Sequence, residues 1–176
     1  MKILLHACCG PCSIYPVKVL RKEGHDLRGY FYNPNIHPYT EFDRRLETFR
    51  RYAGKIDLPV TVEDDYELEE FLRQVTYREG DRCRFCYGLR LKRAAQVAKR
   101  GKFDAFATTL LVSPWQKHEL IKAIGAAIGQ EAGIPFYYRD FRPGYQEAVK
   151  VSKEEKMYRQ QYCGCIYSER DRYYKR

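Results

Sequence analysis

Seven cysteines in a chain of 176 residues are the side chains best suited to chemistry. They occur in three clusters, Cys8-Cys9-Gly10-Pro11-Cys12, Cys83-Arg84-Phe85-Cys86 and Cys163-Gly164-Cys165. Cysteines that merely fill a core would not cluster in this way. An odd number of cysteines argues against a secreted disulfide scaffold, and adjacent cysteines pair poorly because a trans peptide directs their side chains apart. The clusters therefore predict metal ligation or thiol redox chemistry.

No single cluster contains enough ligands for a complete metal centre. Cys83 and Cys86 are three residues apart at a predicted helix start, so both thiolates can face one metal. The turn at Gly10-Pro11 can direct the first cluster to the same point, and the third cluster can close the site. Because a tetrahedral zinc or an iron–sulfur cubane takes four protein ligands, we expect a centre assembled from distant segments. An iron–sulfur centre, structural zinc and metal-free dithiol chemistry all remain open at this stage.

Two other readings of the first cluster follow from local motifs. Cys9-Gly10-Pro11-Cys12 stands where a thioredoxin-like dithiol would stand, at the start of a helix after an early strand, but such chemistry has no use for the other five cysteines. A strand-to-helix loop also suits phosphate. However, the sequence contains neither GxGxxG nor GxxxxGK[ST], which disfavours a nucleotide-dependent ligase.

Composition and charge narrow the class of protein. Apolar residues make up 44% and charged residues 31%, which is typical of a globular chain and not of a disordered one. No apolar run approaches the roughly 20 residues of a membrane span, and the apolar part of MKILLHACCG is too short for a signal peptide, so we expect a cytoplasmic protein. The net charge of +9 favours a polyanionic partner such as a nucleic acid.

Short apolar runs alternate with longer amphipathic segments. The pattern predicts strands at 2–7, 27–32, 60–62, 105–111 and 134–138. It predicts helices at 13–22, 40–53, 63–75, 84–100, 113–130 and 143–157, with an irregular tail around Cys163. This alternation indicates an α/β fold with a doubly wound parallel sheet and helices on both faces. We expect one domain over residues 1–176, with the functional loops at the carboxyl ends of the strands.

Several further side chains are candidates for the site. His6 ends the first strand beside Cys8 and is either a buried structural histidine or a proton donor. His37 lies in the turn-rich segment Asn33–Pro38, which we expect to line a pocket. Glu41 and Arg45 are expected on an exposed helix face. The basic helix is expected to contact phosphates through Arg84, Arg90 and Arg93, with the basic segment 159–176 as the alternative RNA-binding face. The sixteen tyrosines suit stacking on unpaired bases.

Seven strings spread over residues 4–168 carry a resemblance to a known family. In chain order they are LLHACCGPCSIYP, GYFYNPNIHPYTEF, RRLETF, RCRFC, TTLLVSPWQKHELIK, FYYRDFRPGYQE and YRQQYCGCIYS. Together they resemble the epoxyqueuosine reductases of the QueH type. The resemblance implies a Rossmann-like (HUP-like) fold and the conversion of epoxyqueuosine to queuosine at the wobble position of transfer RNA. Some members carry Asp at the position of Cys12.

The resemblance also implies the cofactors and partners. Loss of an epoxide oxygen to leave an alkene takes two electrons and two protons, and side chains do not supply those electrons, so a cofactor must. The resemblance implies a [4Fe-4S] cluster with an additional mononuclear iron, no cobalamin, a transfer RNA substrate, an unidentified electron donor and no membrane. We expect Cys83 and Cys86 on the cluster, with some of Cys8, Cys12, Cys163 and Cys165 near the second iron. Cys9 is included among the ligands, and Cys12, His6 and His37 are the catalytic candidates. The rival reading is a zinc-stapled RNA-binding module without catalysis.

Overall fold

The computed structural model describes residues 1–175 as alternating strands and helices. Arg176, the last residue of the predicted basic segment, lies outside the described residues. The strands are β1 (Lys2–His6), β2 (Asp26–Phe31), β3 (Val60–Val62) and β4 (Ala105–Thr108). The helices are α1 (Gly10–Lys22), α2 (Tyr39–Lys55), α3 (Leu68–Val75), α4 (Arg82–Arg100), α5 (His118–Ala132), α6 (Tyr145–Glu154) and α7 (Ile166–Tyr173). No helix within residues 1–175 is long and apolar enough to span a membrane.

The strands form a parallel sheet in the order β3-β2-β1-β4. The central strand β1 pairs with both neighbours, and its residues Ile3, Leu4 and Leu5 are fully buried. Consecutive strand residues are buried because helices cover both faces of the sheet. Helix α1 packs against α2 and α6, while α4 packs against α5. The predicted doubly wound, Rossmann-like α/β fold is therefore confirmed.

The strand order creates a crevice at one edge of the sheet. After β1 the chain crosses to β2, whereas β4 lies on the other side of β1, so the carboxyl ends of β1 and β4 flank the point where the winding direction reverses. Open α/β sheets bind their ligands at such a point. The backbone N–H of Cys8 after β1 donates to the hydroxyl of Thr109 after β4 at 3.2 Å. The first cysteine cluster therefore lies in this crevice.

Two of the predicted strands are shorter in the structure. The strand predicted at 105–111 ends at Thr108, whose hydroxyl accepts a hydrogen bond from the N–H of Leu110 and starts a 3-10 turn over Thr109–Val112. The strand predicted at 134–138 is reduced to a single parallel bridge between Phe106 and Phe136 within the described residues. Pro135 contributes there to the shortening because it has no N–H to donate to a ladder.

Several helix boundaries also differ from the predictions. The helix predicted from residue 63 begins at Leu68, and the one predicted from residue 113 begins at His118. The hydroxyl of Tyr87 accepts a hydrogen bond from the N–H of Lys117 and donates to the side chain of Gln116, which holds residues 116–117 in a loop. Helix α7, directly after the third cysteine cluster, was not predicted.

A pair of glycine substitutions tests the packing at the β4 edge. A Cβ on Gly129 would lie 2.9 Å from the carbonyl oxygen of Ile134 and 3.0 Å from the nitrogen of Phe136, and both are backbone atoms. We expect Gly129→Ala to lower the free energy of unfolding by about 1–3 kcal/mol. Gly88 is the matched control, since a Cβ there meets no atom within 4 Å. Gly88→Ala should raise the free energy of unfolding by about 0.5–1 kcal/mol. Urea unfolding measures both, and equal effects would contradict the packing argument.

Candidate metal centre

Three thiols converge where β1 enters α1. The sulfur atoms of Cys8, Cys9 and Cys12, here called the three-thiol set, all lie within 4.8 Å of one another, and those of Cys8 and Cys9 are 3.9 Å apart. Pro11 fits the first turn of α1, where its missing N–H costs nothing. Thiolates bound to one tetrahedral metal at about 2.3 Å lie about 3.8 Å apart. The three-thiol set therefore fits one soft metal ion, such as iron or zinc.

The protonation of these thiols is coupled. Hydrogen bonds from Cys12 and Cys9 hold the pKa of Cys8 well below its usual range, with a further contribution from the hydroxyl of Thr109. The same hydrogen bond to Cys8 raises the pKa of Cys12 well above its usual range. One thiolate is thus stabilised by two neighbouring thiols. A bound cation would replace their protons, because metal ligation requires deprotonated cysteine.

The other cysteines form a second group, the four-thiol set, made of Cys83, Cys86, Cys163 and Cys165. Burial raises the pKa of Cys86 to about 12, a net value in which the charge of Arg90 lowers it and the other three thiols raise it. Cys86 and Cys165 pack together with Phe71 and Val75 in one apolar cluster. Cys163 and Cys165 therefore lie near Cys83 and Cys86, and Cys163 also lines one cavity with Cys8 and Cys12. This set has the four thiols that a cubane takes.

The two thiol sets meet at a small inner cavity of about 10 Å³. Its lining includes Cys8 and Cys12 from the first set and Cys163 from the second. Asn35 and Ile36 also line it, so the prediction that the Asn33–Pro38 segment lines a pocket is confirmed for these two residues. Because the two thiol sets meet at this cavity, the three cysteine clusters of the sequence lie together in the fold.

Arg45 attaches the C-terminal cysteine segment to α2. Its Nε donates to the Glu41 carboxylate at 2.6 Å, and its Nη1 and Nη2 donate to the carbonyls of Cys163 and Tyr162 at 2.8 and 3.0 Å. Both Glu41 and Arg45 are buried, so the expected exposed face was wrong for this pair. Glu41 and Arg45 are four residues apart and lie beside the apolar stripe of α2 that includes Phe42. This spacing could have indicated from the sequence that both residues are buried. The charge of Arg45 also faces the three-thiol set.

Arg90 plays the corresponding part on α4 and does not contact phosphate. It is 2% exposed, and its Nη2 donates to the Cys86 sulfur at 3.0 Å. Its inclusion among phosphate-binding residues was wrong, because a side chain packed against a buried thiol cannot reach a polyanion. Arg93 is half-buried and paired with Glu63 at 2.8 Å, whereas Arg84 is exposed.

His6 joins three segments at the base of the crevice. Its Nδ1 accepts from the hydroxyl of Thr108 at 3.0 Å, and its Nε2 donates to the carbonyl of Tyr32 at 3.1 Å. Burial and, to a smaller extent, the nearby positive charge of Arg90 lower the pKa of His6 to about 4. A neutral imidazole with both nitrogens bonded inside the protein positions the strand ends. The hypothesis that His6 donates a proton is therefore not supported. The hypothesis that it is a buried structural histidine is supported.

His37 holds the third cysteine cluster and does not face the cavity. Its backbone N–H donates to the carbonyl of Gly164 at 2.8 Å, its Nδ1 accepts from the N–H of Ile166 at 3.3 Å, and its carbonyl accepts from the hydroxyl of Tyr162. Gly164 adopts φ +152°, and a Cβ there would lie 3.1 Å from the Asn35 amide. His37 is thus a positioning residue, in contrast to the catalytic role expected of it.

A larger cleft of about 440 Å³ opens above the inner cavity. Cys12 and Cys163 line both spaces, so the cleft gives access to both thiol sets. Gln116 projects into it with its Nε2 3.2 Å from the Cys163 sulfur, and Trp115 lies beside Gln116. Neither residue was singled out from the sequence, although both stand in one of the strings that carry the family resemblance.

Comparison with known proteins identifies the family of this chain. Residues 3–171 match the family described as epoxyqueuosine reductase QueH. The chain belongs to this family. The QueH family is one of oxidoreductases.

Curated QueH relatives cover nearly the whole chain. The epoxyqueuosine reductase QueH of Dehalococcoides mccartyi is 37% identical, over 98% of this chain and 94% of the relative. That of Thermotoga maritima is 36% identical, over 94% and 89%. Among solved structures, a predicted subunit of a tRNA methyltransferase from Methanocaldococcus jannaschii has a TM-score of 0.58 at 14% identity, over 88% of this chain and 75% of that chain. This last likeness supports the α/β fold alone.

Replacing Arg45 tests how this QueH-family chain holds its third cysteine cluster. Lysine keeps the charge but cannot reproduce the guanidinium fork, so Arg45→Lys should lose hydrogen bonds to the two carbonyls and roughly 1.5–3 kcal/mol of stability. Hydrogen exchange measured by mass spectrometry should become faster in the segment that includes Cys163 and α7. Arg44→Lys is the matched control, because Arg44 is exposed on the same helix. Unchanged exchange in the Arg45 variant would contradict the anchoring role.

Proposed function

We propose that this chain reduces epoxyqueuosine to queuosine at the wobble position of transfer RNA, as a single catalytic domain acting in the cytoplasm. The observation that carries the proposal is the convergence of two thiol sets at the floor of one cleft. Family membership over residues 3–171 supports the same reaction. The electrons come from a separate donor, and cobalamin takes no part.

The number of thiols in each set supports an assignment of the cofactors. The four-thiol set matches the ligands of a [4Fe-4S] cluster, and the three-thiol set leaves a fourth position open on a mononuclear iron. When bound, these groups supply single electrons at low potential and a Lewis acid for the epoxide oxygen. Arg45 and Arg90 would offset part of the negative charge of the ligating thiolates.

The reaction balances with two electrons and two protons. Both carbon–oxygen bonds of the epoxide break, the two carbons become an alkene, and the oxygen leaves as water. The cleft of about 440 Å³ is large enough to admit the reacting ring. Cys12 and the amide of Gln116 are among the groups at the cleft floor that can meet the substrate. The buried imidazoles of His6 and His37 hold the loops that form this floor.

The two alternative functions suggested by the sequence would require different properties of the site. A thioredoxin-like dithiol needs an accessible nucleophile, but Cys9 is only 1% exposed and lies next to a third thiol. A zinc-stapled RNA-binding module would use the same thiols, since their spacing suits zinc as well as iron. Metal identity and turnover together separate this module from a reductase.

Anaerobic purification and assay test the proposed function directly. We expect a brown protein with about five irons per chain, four for the cluster and one for the three-thiol set. With a chemical reductant it should convert epoxyqueuosine in transfer RNA to queuosine, measured by mass spectrometry of the nucleosides. Protein loaded with zinc alone is the control and should be inactive. A colourless zinc protein as isolated, with no turnover after iron reconstitution, would favour the RNA-binding module.

Substitutions at Cys12 and Cys86 test the assignment of the two thiol sets. If Cys12 ligates the mononuclear iron, Cys12→Asp should keep the cluster absorbance and part of the activity, because a carboxylate is also an anionic ligand. Cys12→Ala should keep the absorbance and lose activity. Cys86→Ala should lose the absorbance, because a cubane lacking one thiolate is prone to breakdown. Iron content and turnover are measured without oxygen. Full activity in Cys12→Ala would contradict the assignment of Cys12 to the mononuclear iron.

A further inference from the structure

Trp115 is an exposed aromatic side chain on a fixed backbone at the rim of the cleft. It is the single tryptophan of the chain, and 83% of it is exposed. Its backbone N–H donates to the Ser113 hydroxyl at 3.3 Å. The next residue, Gln116, accepts from the hydroxyl of Tyr87 at 2.7 Å, which ties the loop to α4. A large apolar ring that is mostly exposed to water suggests a surface for a ligand.

Two arginines bring positive charge to the same cleft. Arg159 and Arg172 both line it, and within residues 1–175 neither side chain has a hydrogen bond or an ion pair. By contrast, Arg82 and Arg170 on the neighbouring surface both pair with Asp171. The cleft lining in the described residues also contains no Asp or Glu. The two charges are therefore available to an anionic ligand.

We propose that this cleft binds unpaired nucleotides, with Trp115 stacking on the base next to the one that enters toward Cys12, and with Arg159 and Arg172 contacting the adjoining phosphates. The inference rests on the proposed function for the source of the RNA, a transfer RNA loop. Every base offers a planar face to an aromatic ring, and such stacking is a main mode of single-strand recognition.

The size of the cleft supports this division of roles. A volume of about 440 Å³ is at the lower end of small-ligand pockets and suits one base-sized group. A base must leave its stack to enter a buried site, and its neighbour then loses a stacking partner. Trp115 at the rim can replace that partner. A paired duplex offers no free base face, so the site should discriminate against it.

The single tryptophan provides a direct readout of stacking. The anaerobically purified holoenzyme is titrated with an RNA hairpin that has an unpaired loop, and with a fully paired duplex of the same length. We expect saturable quenching of tryptophan fluorescence by the hairpin, after correction for absorbance, and little quenching by the duplex. Equal quenching by both RNAs, or none by the hairpin, would overturn the stacking role of Trp115.

Variants separate stacking from charge. Trp115→Ala should weaken hairpin binding by about tenfold, whereas Trp115→Phe should stay within about threefold because it keeps a ring. Tyr77→Ala is the control, since Tyr77 is 94% exposed but does not line the cleft, and it should bind normally. Binding of these variants is followed by electrophoretic mobility, which does not depend on tryptophan.

The salt dependence of binding tests the two arginines. Arg159→Gln combined with Arg172→Gln should reduce the slope of log affinity against log salt by about 1.4, since each phosphate contact on a single strand contributes about 0.7. Arg84→Gln combined with Arg100→Gln, both exposed on α4, is the matched control and should leave the slope unchanged. A slope altered only by the α4 pair would place the RNA on that helix and overturn the proposal.

The outcomes also distinguish this inference from the proposed function. If the wild type reduces its substrate but Trp115→Ala binds RNA as tightly, the inference fails and the function stands. If the wild type binds the hairpin through Trp115 but never reduces epoxyqueuosine, the inference stands and the function fails. If Trp115→Ala binds RNA normally and loses turnover only with a protein electron donor, the cleft docks the donor and the inference is overturned.

Discussion

The rest of the structure depends on how seven thiols are accommodated around one crevice, four of them buried. Thiolates gathered in one place repel one another, and burial, together with the nearby thiols, raises the pKa of Cys86 to about 12 even though Arg90 lowers it. Arg45 and Arg90 place two permanent positive charges among them. A buried arginine is itself costly unless its donors are satisfied. Arg45 satisfies them with Glu41 and two carbonyls, while Arg90 uses the carbonyl and sulfur of Cys86.

These charge contacts also determine the tertiary arrangement of the site. The carbonyls that Arg45 binds belong to the C-terminal cysteine segment, so charge compensation and the docking of that segment are one interaction. His37 adds backbone and ring hydrogen bonds to the same segment. The cleft lies between this segment and the loop after β4, and Cys12 and Cys163 line both the cleft and the inner cavity. Ligand access and thiol arrangement are therefore built from the same residues.

The sheet topology explains why this crevice is available. Because the winding direction reverses between β1 and β4, the loops after these two strands diverge and leave a space that other segments fill. Here the space receives the N-terminus of α4 and the segment before α7. The buried Cys9 and the parallel sheet distinguish this arrangement from a simple dithiol site, even though Cys9-Gly10-Pro11-Cys12 has the local form of one.

The sequence by itself determined the features that depend on neighbouring residues. Apolar runs and helical periodicity predicted the alternating α/β order, and Cys8, directly after the first strand, was predicted at a strand end. The clustering of cysteines predicted metal ligation or thiol redox chemistry, and seven strings of residues indicated the family. Only the tertiary structure decided that Cys163 joins Cys83, that Arg45 and Arg90 are buried, and that the last predicted strand is one bridge. Spacing along the chain sets local geometry, whereas burial and partner choice depend on which distant segments pack together.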